Sequence, residues 1–116
     1  MPVKRLLTEF GMGSSLRRQD YTEAAVRAVK DALWHNSINL AELFGKDKSE
    51  MIIHVDVGVA QPEQVDTDKV AATFPYGQVT VQCHAGGLDA PRADGGAPTV
   101  MANVAISVSL DVEERT

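Results

Sequence analysis

The segment that most restricts the fold is Thr99 to Val112. Val100, Ala102, Val104, Ile106, Val108 and Leu110 alternate there with Met101, Asn103, Ala105, Ser107 and Ser109. Successive side chains of an extended strand point to opposite faces, so this period of two predicts one long strand with an aliphatic side and a small, polar side. Such a strand belongs in a sheet covered on its aliphatic side. Met51 to Ala60 repeats the pattern, with Met51, Ile53, Val55, Val57 and Val59 set against Ile52, His54, Asp56, Gly58 and Ala60. Gln78 to Ala85 repeats it again, with Val79, Val81, Cys83 and Ala85 opposite Thr80, Gln82 and His84. Val3 to Met12 reads as a further strand, ended by Gly11-Met-Gly13.

The cover for the aliphatic side is helical. Tyr21 to His35 places Val26, Val29 and Leu33 at helical spacing, widened by Ala25, Ala28 and Ala32, while Arg27, Lys30 and Asp31 face away. Asp20 is its expected N-cap, with Glu23 three residues on in the capping-box arrangement. Trp34 is expected to anchor the core or an interface, and His35 to meet the helix dipole or solvent. A brief second helix is expected at Leu40 to Phe44, stopped by Gly45, and a third at Thr67 to Phe74, capped by Asp66 and stapled by Val65 and Val70. Gly86 to Pro98 holds four Gly and two Pro without an apolar period and reads as a long mobile loop, and 113–116 as a tail. These elements predict one α+β domain over 1–116: a four-stranded, mainly antiparallel sheet with one long and one or two short helices on one face.

Charge and cysteine usage narrow the function classes. The 116 residues carry 11 Lys+Arg against 16 Asp+Glu, a net charge of -5, which opposes sequence-independent binding to nucleic acid. A single cysteine, Cys83, excludes an intramolecular disulfide and a multi-Cys zinc site; its place beside Val79 and Val81 predicts a buried, inert thiol. No stretch has the roughly 18 uninterrupted apolar residues of a membrane span, and the N-terminus lacks a secretory core, so the expected address is the cytoplasm. The second side of the strands carries Ala, Ser, Thr, Gln, His and Asn but little formal charge, which suits burial against sister copies in a homo-oligomer of three subunits or more.

Glu9-Phe-Gly-Met-Gly13, the run Gln19 to Ala32, Pro62-Glu-Gln-Val-Asp66, Phe74-Pro-Tyr-Gly77 and Gly86-Gly-Leu88 together resemble the Lin family of conserved hypothetical proteins over nearly the whole chain. The hallmark of that family is G-x-G-x-D-x-H-G. Gly11 and Gly13 match it, whereas Ser15 stands for the Asp, Arg17 for the His and Arg18 for the final Gly. The resemblance implies no particular activity. A fold-level likeness joins the element order to the trimeric chorismate mutase-like and imine-deaminase (Rid-type) folds, which close small sheets into a barrel with ligand clefts between subunits. Chorismate mutases place arginines on the first and last strands, where this chain offers Glu9 and Asn103, so their activity is not implied.

Two groups of residues are candidates for chemistry. Gly11, Gly13, Ser14 and Ser15 join a strand to a helix beside Arg17 and Arg18, an arrangement able to hold a small carboxylate or phosphate, although a glycine-demanding tight turn explains the glycines equally. His54 and Asp56 share one strand face, and His84 and Gln82 the matching face of another; if those strands are neighbours, two imidazoles and a carboxylate meet, enough for a metal or for acid–base work, or simply as hydrogen-bonded interface polar groups. Glu9, His54 and His84 are the candidates for proton transfer. Ser14 and Ser15 lack a nucleophile elbow, Asp89 and Asp94 lack calcium-loop spacing, and no cofactor or metal is expected. Two functional readings follow. One is a small-anion or small-metabolite binder with its cleft at a subunit boundary, whose catalytic alternative is a small-molecule hydrolase or deaminase-like enzyme. The other is a non-catalytic assembly protein.

Overall fold

The computed structural model describes residues 3–16, 18–35 and 47–111; the helix expected at Leu40 to Phe44, the tail, Arg17, and the side chains of Trp34 and His35 lie outside them. The elements are β1 (Val3–Ser15), α1 (Tyr21–His35), β2 (Ile52–Val59), α2 (Thr67–Ala71), β3 (Gln78–Ala85), β4 (Leu88–Ala90) and β5 (Thr99–Asp111), with short 3-10 turns at Lys48–Glu50 and Pro62–Gln64. They form an α+β fold around one mixed sheet in the order β1-β5-β2-β3, with β4 also paired to β5.

The alternating segment that dominates the sequence is the centre of this sheet. β5 runs antiparallel to β1 along one edge, from Val3↔Asp111 to Ser15↔Val100. Along its other edge it pairs antiparallel first with β2, from Ile52↔Ser109 to Gly58↔Asn103, and then with β4 at Leu88↔Met101 to Ala90↔Thr99. β2 and β3 are parallel, Ile52↔Gln78 to Val59↔Ala85, and the chain crosses between them through α2. The sheet thus has five strands and a parallel pair, where four mainly antiparallel strands were expected. The extra strand, β4, lies inside the glycine-rich segment read as a loop; three residues are too few to show a period, so pairing with β5 alone reveals it.

The two-faced reading of the strands holds. Met51, Ile53, Val55, Val57 and Val59, and Val100 through Leu110 at every second position, are buried in one core with Val70, Phe74 and the inner stripe of α1. Val79, Val81 and Cys83 pack partly against it, and Ala85 is exposed. That stripe is Ala24, Ala25, Ala28, Val29 and Ala32, all fully buried. Alanine dominates because the helix lies almost on the backbone of β1. A Cβ built on Gly11 meets the Ala28 carbonyl oxygen at 2.2 Å, and one on Gly13 meets the Ala28 amide nitrogen at 2.3 Å. Both glycines are inside β1, which continues to Ser15 rather than stopping at Met12; they serve helix–strand contact, not a turn.

The caps are as expected at both helices, with one change. Asp20 Oδ1 accepts from Glu23 N at 2.9 Å and Asp66 Oδ1 from the amides of Asp68 and Lys69. The reciprocal half of the capping box is replaced: Ser15 Oγ accepts from Asp20 N at 3.3 Å, and Glu23 pairs with Arg27 at 2.6 Å. α2 ends at Ala71, where Thr67 to Phe74 was expected; the last residues close as turns onto Val70 and Ala71 carbonyls. Tyr21, 2% exposed, donates its hydroxyl to Asp89 Oδ2 at 2.5 Å and accepts from Gln19, tying β4 to the start of α1. Burial first, and the Asp89 hydrogen bond second, push its phenol pKa up.

Gly13→Ala is expected to cost about 2 kcal/mol or more in chemical denaturation, since the added methyl overlaps helix backbone that cannot move aside. Gly58→Ala, whose Cβ would make only ordinary contacts at 3.6 Å, is expected to stay within about 1 kcal/mol of the parent.

Candidate functional site

Helices cover one face of the sheet, and the side chains of the other project from it. Rows across that open face follow from the registers: Phe10, Ala105, Asp56 and Gln82 form one, and Met12, Asn103, Gly58 and His84 the next. Because β2 and β3 are neighbours, His84 stands diagonally across from Asp56, and His54 lies two residues before it on the same face. The three side chains converge. His84 Nε2 lies 2.7 Å and His54 Nε2 3.1 Å from the same oxygen, Asp56 Oδ1. All three are partly exposed, at 54%, 33% and 39% for His84, His54 and Asp56. The hydrogen bond from His84 is the main influence holding the Asp56 carboxyl below its ordinary value of 3.8; partial burial opposes it and His54 assists. Among the described residues no group of His, Cys, Asp or Glu is arranged to hold a metal ion.

Glu9, the other candidate for proton transfer, is not part of this cluster. It has the same strand parity as Gly11 and Gly13, which face α1, so it belongs to the helix side of the sheet. Cys83 is on the core side, where burial pushes its thiol pKa up, as expected of an unreactive thiol.

The segment from Gly11 to Arg18 has a different geometry from a glycine loop. Met12 N donates to Asp31 Oδ2 at 3.0 Å, so in this part of β1 the even-numbered amides point to its free edge and those of Gly11 and Gly13 point toward β5. The Ser14 carbonyl accepts from Arg27 Nη1 at 2.7 Å, and Ser15 is buried with its hydroxyl under the start of α1. Two helix side chains therefore occupy the outer edge of β1, which an edge strand needs if it is not to pair with other chains. Arg18 is exposed beside an open groove of about 390 Å³ shared with Ser15, Leu16, Glu23 and Arg27.

Sequence reasoning missed the apolar part of the open face. Phe10 is 72% exposed, Met12 55% and Leu88 54%. A hollow of about 320 Å³ lies among Met12, Ser14, Leu88, Ala90 and Met101. The signal was available in parity: once Gly11 and Gly13 face the helix, Phe10 and Met12 must face the other way.

Fold and site together define an α+β protein with one sheet face closed by helices and the other open around a histidine–carboxylate cluster. No helix among the described residues is long and apolar enough to cross a membrane. Residues 5–108 match the family described as conserved hypothetical protein (Lin0512_fam), and the chain belongs to that family. It is also similar to a protein of known crystal structure from Nostoc punctiforme, described as an FtsZ-like protein of unknown function, at 34% identity and a TM-score of 0.85 over 97% of this chain and 99% of that one. No curated protein matches the sequence.

The lowered Asp56 pKa sets a direction for acid stability. A carboxyl whose folded-state pKa lies below its unfolded value adds stability that is complete above the unfolded value and lost as pH falls through the folded one. Denaturation midpoints measured from about pH 5 down to about pH 3 are expected to fall less steeply in Asp56→Asn than in the parent. Equal slopes would show that the two imidazoles do not stabilise the carboxylate.

Proposed function

We propose that this chain is a small-metabolite-binding protein of the cytoplasm that works as a homo-oligomer of three or more copies, with its ligand cleft on the open sheet face at the boundary between copies. The observation that carries this reading is the joint placement on that face of His54, Asp56 and His84 with Phe10, Met12 and Leu88, three large apolar side chains more than half exposed in the single chain. Contiguous uncovered apolar surface rimmed by polar groups is the usual mark of an interaction site. Packing copies through this face is the arrangement of the chorismate mutase-like and Rid-type trimers. Arg18 is exposed past the end of β1, in a groove with Ser15, Leu16, Glu23 and Arg27 at the helix side of the sheet. It and its sequence neighbour Arg17 are the candidates for holding an anionic ligand group that reaches around this end, with Ser14 beside them in sequence and Gly11 and Gly13 holding the strand against α1.

A non-catalytic assembly protein is the second reading, supported by the same apolar groups. On that reading the hydrogen bonds of His54 and His84 to Asp56 serve as polar contacts of the interface. Light scattering is expected to show an oligomer, and Phe10→Glu to release folded monomers. In a thermal-shift screen of small carboxylates and phosphates, a ligand at saturating concentration is expected to raise Tm by about 5 °C or more, and Arg17→Ala or Arg18→Ala to reduce that shift. A monomeric parent contradicts the assembly; an oligomer that no compound stabilises leaves the second reading.

A further inference from the structure

We propose that the open sheet face carries a socket for a second copy of this chain: the Phe10 ring of one copy seats in the hollow between Met12, Leu88 and Met101 of the next. This rests on the assembly in the reading above and names the contact that makes it. Among the described residues Phe10 is the most exposed large apolar side chain, at 72%. A ring left that far in water forgoes the burial from which aromatic side chains draw most of their stabilising effect, and a partner surface restores it.

The hollow matches the ring in size and chemistry. It encloses about 320 Å³ among Met12, Ser14, Leu88, Ala90 and Met101. Small-molecule pockets run from about 300 to 1,000 Å³, so this one suits a single aromatic side chain better than an extended molecule. Two of its walls are methionines, whose unbranched thioethers adjust to a ring and make favourable contacts with its edge. Leu88 is a third apolar wall, and Ala90 adds only a methyl group.

Within one chain the ring does not reach the hollow. Ser14, Met101 and Leu88 are in register across β1, β5 and β4, and Phe10 lies four residues before Ser14. With strands about 4.8 Å apart and about 3.4 Å per residue, Phe10 and Leu88 are roughly 17 Å apart at Cα. Ring and hollow therefore meet only between copies. A copy whose ring is seated in one neighbour still offers its own hollow to another, so the contact repeats from copy to copy.

Charge favours a copy of the same chain as the occupant. The chain has a net charge of -5. In the four rows from Thr8 to Ser14, however, the one formally charged side chain is Asp56, and both its hydrogen-bond partners are imidazoles. Copies that meet here keep their excess carboxylates apart, whereas a strongly charged partner finds almost no counter-charge.

Disulfide trapping tests the contact. A disulfide needs Cα atoms no more than about 7 Å apart, so the double variant Phe10→Cys/Leu88→Cys joins its new thiols only between chains. Both positions are exposed, so the fold is expected to be kept by circular dichroism. Mild oxidation is run well above the parent's assembly midpoint, where a weakened contact still forms. The double variant is expected to give a ladder on a non-reducing gel that reaches three chains or more. Phe10→Cys alone and Leu88→Cys alone, which share the same native Cys83, are expected to stay single. Phe10→Ala and Leu88→Ala are each expected to raise the dissociation midpoint about 10-fold or more, and together no more than the worse of the two, because both remove one contact. An oligomeric parent whose double variant stays single, or whose Phe10→Cys variant links to itself, overturns the contact and leaves the assembly standing. A ladder that stops at two chains overturns the repeat. An apolar dye that binds the assembled parent but not Ala90→Trp shows the hollow vacant in the assembly and also overturns the contact. A parent that is monomeric by light scattering removes contact and assembly together.

Discussion

Everything in this molecule is arranged around the near-contact of α1 with the backbone of β1. Gly11 and Gly13 have no side chains, and Ala24, Ala28 and Ala32 present only methyl groups, so the helix settles at a distance that larger residues would forbid. The helix also serves the strand's outer edge, through Asp31 on the Met12 amide and Arg27 on the Ser14 carbonyl. Close approach and edge protection come from one element: a helix this near reaches the strand's edge amide with the short side chain of Asp31 and its edge carbonyl with the longer one of Arg27.

Fixing that face decides the other. With the odd-numbered residues of β1 from Leu7 onward committed to the helix side, Phe10 and Met12 must project from the opposite side of the sheet, beside Asn103 and Ala105 on β5. The same parity on β2 and β3 puts His54, Asp56 and His84 there. The parallel pairing of β2 with β3 then brings His84 close enough to share the Asp56 oxygen with His54. β4, held by Tyr21 through Asp89, extends this face with Leu88 and Ala90. The family hallmark reads differently in this light. Its glycines are packing residues, and the position where relatives have Asp is a buried Ser15 whose hydroxyl accepts from the Asp20 amide. An acceptor at that point closes the turn into α1.

Much of this was legible from residues alone. The alternation in Thr99 to Val112 and Met51 to Ala60 identified the central strands and their buried sides, because an uninterrupted period of two over many residues has no competing reading. The caps at Asp20 and Asp66 were legible for the same local reason. The role of the glycines was not, since a glycine in a turn and a glycine under a helix look alike without knowledge of what crosses it. Convergence at Asp56 depended on strand order, which is a property of the whole chain. It could be stated from sequence only as a condition on β2 and β3 being neighbours. β4 was too short to announce itself, and Asp89, read only as a poor calcium ligand, is instead the partner of a buried tyrosine.

The central claim is that the face away from α1 is where this protein meets its copies and its ligand. Oxidative footprinting by hydroxyl radicals, at protein concentrations above and below the assembly midpoint, tests it most directly. Met51, buried beneath the sheet, is an internal reference that stays protected at both. The account predicts that Phe10 and Met12 are protected at high concentration and become oxidised on dilution. Equal oxidation of both residues at the two concentrations would contradict it.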